Sequence, residues 1–569
     1  MSTESTELPW QRIGREKRQA IDSLLPDHWR VNAVPPAEEL PDATAFPRAL
    51  LSERELAITE DFAAEQLLQQ LAAGHFSASE VVNAFCHRAT IAHQLTNCLS
   101  EILFAEALAQ AESLDSYYRT HGKTVGPLHG LPISLKDQFR VKGAETSMGY
   151  VAWLGKVETE ETESWLVKQL RSLGAVVYCK TNVPTSLMTT YSFQALETNN
   201  NIIGYTTNAH NRLLSSGGSS GGEASLLALR GSILGLGSDV GASIRLPCAL
   251  SNIVGLKPSH GRVPYLGVAN SMEGHQTVES VIGPMGHSIG DLRLLLKSIL
   301  STRPWQADPK VINLPWRHEA ENLVKSKIST KKLTFGVIRT DGMVNPHPPV
   351  TRAINETVGA LRAAGYEVIE WDPPAHSEAF QILWDAFAAD GGTDIHTTLA
   401  AAGEPPVPEI AVSYGKALGH LPVATVNDLW ATQARKAAFQ ARYLSYWAAS
   451  AARTTSGEPI DALIAPAAPS ASFKPTEGKY FGYTGVFNVL DYSAAVVRSA
   501  TRVDKEKDGR AEGYVPLNDF DGAVAGDYDP EVFHGMPIGL QVVCQRLEEE
   551  KVLAVAEEVQ RVLDEVKTY

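Results

Sequence analysis

The segment 215–258, SSGGSSGGEASLLALRGSILGLGSDVGASIRLPCALSNIVGLKP, constrains the fold of this chain more than any other part. Its Gly and Ser clusters are interrupted by apolar blocks, such as residues 226–229, whereas a flexible linker is rich in Gly and Ser throughout. Glycines in front of a helix allow backbone N–H groups to approach a ligand. The segment therefore predicts a folded site with two candidate serines, Ser219 and Ser243, which are 24 positions apart.

The composition is that of a large globular protein. The chain has 569 residues, of which 44% are hydrophobic and 20% charged, which excludes global disorder. The net charge of −15 argues against nucleic acid as the main partner. No apolar run approaches the roughly 20 residues of a membrane span, and the N-terminus lacks the apolar region of a signal peptide. The five scattered cysteines form no CxxC pair and predict reduced thiols in a cytoplasmic protein.

Strand-like runs alternate with amphipathic helical patterns, which predicts an α/β protein. The clearest unit is a strand over 333–338, a helix over 350–364 and a strand over 366–371, and such a unit indicates a mostly parallel sheet. A capping box from Ser77 to Glu80 predicts a helix through about residue 94. We also predict helices over 15–25, 59–73, 105–119 and 164–173, a helix near the C-terminus, strands over 175–179, 461–469 and 536–543, and a surface loop over 500–530.

The domain organisation predicted from these patterns is simple. We predict an N-terminal arm over the polar, proline-bearing residues 1–58 and one large domain over residues 59–569. Residues 373–455 are rich in Ala, Trp and helix formers without the rhythm of strands, which predicts a helical insertion that covers a pocket.

Ser219 lies in the string Gly217-Gly-Ser-Ser-Gly-Gly222. Two known motifs are alternative interpretations of this string, the phosphate-binding P-loop and the catalytic nucleophile elbow. A P-loop is excluded because no Gly-Lys-Ser/Thr follows. The string also matches the G-x-S-x-G nucleophile elbow, but that elbow needs a core strand before the serine. Residues 211–216 are too polar and too short for such a strand, so we disfavour the elbow. An anion-binding helix N-terminus is the remaining non-catalytic interpretation.

Ser243 ends the string Val240-Gly241-Ala242-Ser243, which can offer consecutive backbone N–H groups to an oxyanion. A serine hydroxyl is a poor nucleophile until a neighbouring base takes its proton. An equally weighted alternative to a nucleophile is a glycine-rich turn in which the Ser243 hydroxyl only forms a structural hydrogen bond.

Lys136 ends an apolar strand, Ile133-Ser-Leu-Lys-Asp137, and a lysine there usually reaches solvent. As a base it would need a neutral amine, although the ordinary lysine pKa is about 10.4. Burial can lower that pKa by roughly 3 units. The apolar strand and the two Ser/Gly loops make Lys136 a candidate for such burial.

Taken together, these motifs resemble the amidase signature family. The similar blocks lie at 128–137 (LHGLPISLKD), 180–184 (KTNVP), 217–223 (GGSSGGE), 237–247 (GSDVGASIRLP) and 255–258 (GLKP). The order of the blocks and the spacing of the two serines both fit the family pattern. The core of the signature covers 126–290, and the similarity extends over roughly 60–560. The N-terminal arm and the ending resemble the fungal acetamidase-like branch of that family.

The resemblance implies a single α/β domain with a mixed, largely parallel sheet covered by helices on both faces. It implies a Ser-cisSer-Lys triad in which Lys136 is the base, Ser219 the bridging serine on a cis peptide, and Ser243 the nucleophile. An oxyanion hole would use Val240, Gly241, Ala242 and Ser243, with Ser219 beside the substrate. Ser220, Asp239 and Arg245 match supporting positions, and we expect Asp239 and Arg245 to pair.

The chain departs from the family pattern at two positions. Ala242 replaces the usual second Gly before the nucleophile and adds a methyl group beside the expected oxyanion hole. Because the hole uses backbone groups, it should survive this change. Ser238 replaces the usual Thr, which is a milder difference.

The function implied is hydrolysis of a small linear amide through an acyl-enzyme, with no cofactor and no metal, since no motif for either is convincing. A homodimer is left open. The alternatives are an esterase or acyl transferase on the same triad, the A subunit of a tRNA-dependent amidotransferase, and a catalytically dead binding protein. Specificity is expected from the helical insertion and nearby loops, with candidates Leu187, Met188, Thr189, Tyr191 and Trp384.

Overall fold

The computed structural model describes residues 7–188, 196–372, 374–510 and 513–566. The α-helices are α1 Pro9–Ser23, α2 Glu53–Glu60, α3 Ala64–Ala72, α4 Ala78–Thr96, α5 Phe104–His121, α6 Trp165–Ser172, α7 Gly221–Ala228, α8 Arg245–Leu250, α9 Ile289–Ser301, α10 His318–Ser329, α11 Pro348–Ala363, α12 His376–Phe387, α13 Thr393–Ala402, α14 Pro408–Tyr414, α15 Val426–Ala449, α16 Gly482–Val489, α17 Asp519–Gly526 and α18 Glu549–Val566. The strands are β1 Leu99–Ile102, β2 Pro132–Lys136, β3 Val176–Thr181, β4 Thr207–Asn208, β5 Asn211–Ser215, β6 Leu234–Asp239, β7 Val254–Lys257, β8 Val281–Gly286, β9 Thr334–Val337, β10 Glu367–Glu370, β11 Ala462–Pro466, β12 Ser493–Arg502 and β13 Pro537–Cys544.

An 11-stranded mixed sheet crosses the molecule in the order β1-β3-β2-β6-β8-β7-β12-β13-β11-β9-β10. Parallel pairs lie in two blocks, β3-β2-β6 and β11-β9-β10, and antiparallel pairs connect these blocks through the middle of the sheet. The predicted β-α-β unit is present as β9, α11 and β10, with β9 and β10 parallel. The α/β class and the mixed sheet are therefore confirmed.

Helices cover both faces of this sheet, as predicted. Along β11, Ala462 and Ile464 join the apolar cluster that contains residues of α9, α11 and α18, whereas Leu463 and Ala465 join the cluster that contains residues of α12, α13 and α15. Successive strand residues point to opposite faces, so both faces are buried. Strands β2, β3 and β6 are buried at every residue, as expected for strands that are covered on both faces.

The predicted helical insertion consists of α12 to α15, and the capping box of Ser77 and Glu80 opens α4. Two other predictions were wrong in part, and one was confirmed. The helix predicted over 59–73 is two helices, α2 and α3, since Ser52 caps α2 and the chain turns at 61–63. Residues 211–215 form a strand only in a separate two-stranded sheet with β4, so no strand of the central sheet leads into Ser219, as predicted. The loop predicted over 500–530 contains the end of β12 and helix α17, which Asn518 caps.

The first described helix lies against the body of the protein. Lys17 in α1 forms ion pairs with Glu101, in β1, and with Glu145. Arg18 donates to the carbonyl group of Ile202. These contacts tie α1 to the edge of the sheet. Within the described part of the chain, no helix is both long and apolar enough to cross a bilayer.

Candidate active site

Lys136 lies at the carboxyl end of β2 and is completely buried. Its Nζ is 2.6 Å from Ser219 Oγ and 2.8 Å from Ser238 Oγ. β2 and β6 are parallel neighbours, so the loops after both strands meet at one edge of the sheet. Ligand sites of α/β proteins usually form at such an edge. The sequence-based candidates Lys136 and Ser219 are thus in direct contact.

Burial determines the protonation state of Lys136. Removal from water disfavours the ammonium form and lowers the pKa to about 7, and the negative charges of Asp239 and Glu223 oppose this shift. A large fraction of the side chain is then a neutral amine near neutral pH. A neutral amine has a lone pair that can accept a proton from a hydroxyl, as a base requires.

Ser219 follows a cis peptide bond between Gly218 and Ser219. Glycine is required on both sides of it, by the backbone conformation before it and by close packing after it. Gly217 has a φ of +74°, and a Cβ at Gly221 would lie 2.3 Å from Thr198 Oγ1. Thr198 Oγ1 also donates to the carbonyl of Gly217 and accepts from the N–H of Gly221. Thr198 therefore holds the loop that presents Ser219 to Lys136.

Ser243 is buried and lies beside the Ser219 loop, because the N–H of Ser220 donates to the carbonyl of Ser243 over 3.1 Å. The hydroxyl groups of Ser243 and Ser220 have no hydrogen-bond partner among the described residues. The contact from Ser243 to Ser219 is thus not formed in this structure. Catalytic hydrogen bonds are often long in the absence of substrate and tighten when it binds.

The loop 240–243 leaves its backbone donors available. The N–H groups of Val240, Gly241, Ala242 and Ser243 form no hydrogen bond with any residue that the structure describes. Buried N–H groups without a partner are rare in proteins. The N–H groups of the buried residues 241–243 and of the half-buried Val240, next to the unpaired hydroxyl of Ser243, form a cluster of donors that could stabilise an oxyanion.

Asp239 and Arg245 form the expected ion pair, and both side chains are completely buried. The Nη2 and Nε atoms of Arg245 donate to the two carboxylate oxygens of Asp239 over 2.9 and 3.1 Å, and Asn488 Nδ2 donates to the same carboxylate over 2.9 Å. Burial alone would raise the pKa of Asp239, but the charge and hydrogen bonds of Arg245 outweigh it and lower the pKa to about 2. The carboxylate is therefore ionised at neutral pH.

The structural role of Glu223 was not predicted from the sequence, although the residue ends the GGSSGGE block. The buried Glu223 carboxylate accepts hydrogen bonds from Ser134 and from Thr181 Oγ1, the latter over 2.8 Å. Burial raises its pKa to about 7. Glu223 thus joins α7 to β2 and β3, close enough for its charge to act on Lys136. Its place in a helical first turn was the available signal, but the strand serine and threonine that bind it are distant in sequence.

The wall beside Gly241 comes from segments that carry no motif. A Cβ at Gly241 would lie 3.1 Å from Phe481 Cε2 and 3.9 Å from Leu383 Cδ2. Leu383 belongs to the predicted insertion, whereas Phe481 was not predicted. Leu187, Met188 and Ala242 belong to the same apolar cluster, and Trp384 packs against it. The candidates Thr189 and Tyr191 lie outside the described residues.

Within the described ranges, no group of three or more His, Cys, Asp or Glu side chains is arranged to hold a metal ion. The five cysteines are buried and unbridged.

Comparisons with known proteins agree with the fold. The Amidase family profile matches residues 80–553. The chain is 45% identical to the acetamidase of Emericella nidulans, over 98% of this chain and 99% of that protein. It is 40% identical to Amidase 1 of Gibberella moniliformis, over 88% of this chain and 92% of that protein. The solved structure of a fatty acid amide hydrolase superposes with a TM-score of 0.88 and 32% identity, covering 97% of this chain and 95% of the other.

The fold and these similarities define an enzyme that hydrolyses carbon–nitrogen bonds in amides. More particularly, the chain belongs to the amidase signature family and is similar along almost its full length to fungal acetamidases. The family predicted from the sequence blocks is confirmed.

Proposed function

We propose that this amidase cleaves a linear carboxylic acid amide through Lys136, Ser219 and Ser243, with an acyl-enzyme intermediate. The observation that carries the proposal is the 2.6 Å contact between the buried Lys136 Nζ and Ser219 Oγ, at an edge of the sheet where Ser243 is also buried. Neutral Lys136 accepts the proton of Ser219 as Ser219 accepts the proton of Ser243. Ser243 Oγ then forms a bond with the amide carbonyl carbon.

The negative charge on the carbonyl oxygen would be stabilised by the backbone N–H groups of Val240, Gly241, Ala242 and Ser243. When the C–N bond breaks, Ser219 gives its proton to the departing amine and regains one from Lys136. Water then attacks the acyl-enzyme by the same proton path and releases the carboxylate. Removing one fixed donor from an oxyanion hole typically raises the barrier by about 3–4 kcal/mol, so free N–H groups in this loop support this role. Ser220, Asp239 and Arg245 are proposed to hold the loops that carry these groups.

The substrate we propose is an amide with a short acyl group, such as acetamide. A relative that is 45% identical along nearly the whole chain carries the name acetamidase. Phe481 and Leu383 pack close to Gly241 and limit the space beside the proposed oxyanion hole. A small acyl group fits this crowding better than a long chain does.

The remaining details of the assignment rest on the sequence. We propose a cytoplasmic location, which the five buried, unbridged cysteines support. A homodimer remains a prediction that the mass of the purified protein in solution would test.

The proposal is tested with the variant Ser243→Ala and with Ser225→Ala as its matched control. Ser225 is another buried serine of the same segment, but its hydroxyl donates to the carbonyl of Thr207 over 2.7 Å. We expect Ser243→Ala to lose turnover of acetamide and covalent labelling by a fluorophosphonate while keeping its melting temperature. Ser225→Ala should keep both activities. Turnover by Ser243→Ala at the wild-type rate would refute the assignment, and a preference for the matched ester would make the enzyme an esterase.

A further inference from the structure

Lys136 has a second buried contact that the proposed proton path does not use. Its Nζ lies 2.8 Å from Ser238 Oγ, and the hydroxyl of Ser238 donates to Gln138 Oε1. Gln138 is completely buried, and its Nε2 donates to Tyr265 Oη over 2.7 Å and to the carbonyl of Ala269 over 3.3 Å. A chain of hydrogen bonds therefore connects the backbone at Ala269 with the amine of Lys136.

The direction of every bond in this chain is fixed by one carbonyl group. A carbonyl oxygen only accepts, so the carbonyl of Ala269 requires the nitrogen of the Gln138 amide, and Oε1 must face Ser238. Oε1 also only accepts, so the single proton of the Ser238 hydroxyl is used for this bond. Ser238 Oγ can then only accept from Lys136, and one N–H of the amine must point to Ser238.

We propose that Gln138 is a positioning residue that orients the lone pair of Lys136 towards Ser219 by fixing the direction of the Ser238 hydrogen bond. A neutral amine has two N–H groups and one lone pair. With one N–H held by Ser238, the lone pair can face Ser219 Oγ, 2.6 Å away. If the Ser238 proton were free to rotate, it could bind the lone pair itself and compete with Ser219 for it.

The same chain affects the acid–base balance of Lys136. An acceptor at Ser238 stabilises the ammonium form, and a donor at Ser238 would stabilise the neutral amine. The carboxyl groups that act on Lys136 are Glu223, in α7, and Asp239, at the end of β6. The Asp137–Lys180 ion pair joins the residue that follows β2 to β3, with 3.0 Å between its charged atoms. None of these groups forms a hydrogen bond with the side chain of Gln138, so a change of that side chain leaves their contacts in place.

The test compares Gln138→Met with Gln138→Glu. Met has a similar length and only a weakly accepting thioether, so the Ser238 proton is largely released and can bind the lone pair of Lys136 in competition with Ser219. Part of the roughly 10²–10⁴-fold contribution of general acid–base catalysis should disappear, and we expect kcat to fall about tenfold. The acidic limb of the pH–rate profile should move about one unit to lower pH, the size expected for one hydrogen bond to a charged group. Glu keeps an acceptor for Ser238 in either protonation state, so its limiting kcat should stay within about threefold of the wild-type value. The charge of an ionised Glu would favour the ammonium form of Lys136 and move the limb to higher pH, opposite to Met.

Two further variants separate this role from simple packing. In a Ser238→Ala background, Gln138→Met should cause no additional shift of the limb, because its effect passes through Ser238. Gln560→Met is the matched control, since Gln560 is a buried glutamine whose amide bonds the backbone of Arg498. It should lower the melting temperature without moving the limb. Gln138→Leu replaces Gln138→Met if the latter does not fold.

The inference rests on the proposed role of Lys136, so Lys136→Met is measured beside these variants. Wild-type activity in Lys136→Met would overturn the proposed function itself. An inactive Lys136→Met, together with a wild-type limb and kcat in the apolar Gln138 variants, would overturn only the role of Gln138. Equal losses in Gln138→Glu and Gln138→Met would overturn it as well.

Discussion

Arg245 binds Asp239 through two hydrogen bonds, and this buried pair closes the loop between β6 and α8. Asp239 is the last residue of β6, and Arg245 is the first residue of α8. The carboxylate also accepts from the N–H of Ile244 over 3.1 Å. The loop 240–244 is thus fixed at both ends, while the N–H groups of residues 240–243 stay free. This pair explains how a glycine-containing loop can present several donors in a fixed arrangement.

Arg245→Met should therefore reduce both stability and activity. Removing one partner of a buried pair leaves the other charge unpaired and typically costs about 3–5 kcal/mol of unfolding free energy. The folded-state pKa of Asp239 is lowered from 3.8 to about 2, so the pair stabilises the protein above pH 3.8, and this contribution is lost as the pH falls towards 2. Urea unfolding should show the full difference at pH 7 and a smaller one near pH 3.

The control for this prediction is Arg262→Met, which removes another completely buried arginine, paired with Glu549 and Glu550 in α18. It should lose comparable stability but keep kcat, because it does not contact the loop 240–244. Equal kcat values in the two variants would contradict the proposed role of Arg245 in shaping the oxyanion loop.

Much of the candidate site could be predicted from sequence because its residues lie in short, local motifs. Lys136, Ser219, Ser243, Asp239 and Arg245 all fall within such blocks, and the Asp239–Arg245 pair follows from their positions on either side of one loop. The contact of Lys136 with Ser219 also agrees with the expectation.

The contacts that sequence reasoning missed depend on distant segments. Asn488 reaches Asp239 from α16, and Phe481 reaches Gly241 from the residue before that helix. Neither residue has a local pattern that distinguishes it from an ordinary core residue. The strand β12, ten residues long, was also missed, because its apolar run continues into polar residues without a clear turn. Long-range pairing, rather than local preference, decides such elements.

Replacing Lys136 by Met should stabilise the folded protein, although it should abolish activity. The pKa of Lys136 falls from 10.5 to about 7 on folding, so between these values the unfolded chain binds more protons and stability rises with pH. The penalty for burying the lysine is thus greatest below pH 7 and disappears above pH 10.5. One pKa unit corresponds to about 1.4 kcal/mol. The increase in unfolding free energy of Lys136→Met over the wild type should therefore be about 2–3 kcal/mol larger at pH 7 than at pH 9.

Denaturant unfolding of both proteins at the two pH values measures this difference directly. A gain in unfolding free energy that is the same at pH 7 and pH 9 would show that Lys136 is not neutralised on folding.

Glu223→Gln identifies the group behind the acidic limb of the pH–rate profile. We expect activity to rise with pH through about 7 as Lys136 loses its proton, but burial also brings the pKa of Glu223 to about 7. Removing the carboxylate takes away a negative charge that favours the ammonium form, so the limb should remain and move to lower pH. A profile of kcat/KM for acetamide from pH 5 to 9 checks this, and a limb that disappears would assign the titration to Glu223 instead.

Leu383→Ala should widen the range of acyl groups that the enzyme accepts. The side chain of Leu383 lies beside Gly241 together with Phe481, and its truncation removes about three methyl-sized groups next to the proposed oxyanion hole. We expect kcat/KM for hexanamide to rise at least tenfold relative to acetamide, because longer chains gain space and apolar contact. Ile382→Ala is the control, since Ile382 is an equally buried neighbour in α12 that does not approach Gly241. Both variants should lose about 2–5 kcal/mol of stability as large-to-small core changes do, but only Leu383→Ala should alter the ratio of the two substrates. An unchanged ratio in Leu383→Ala would mean that the acyl group lies elsewhere.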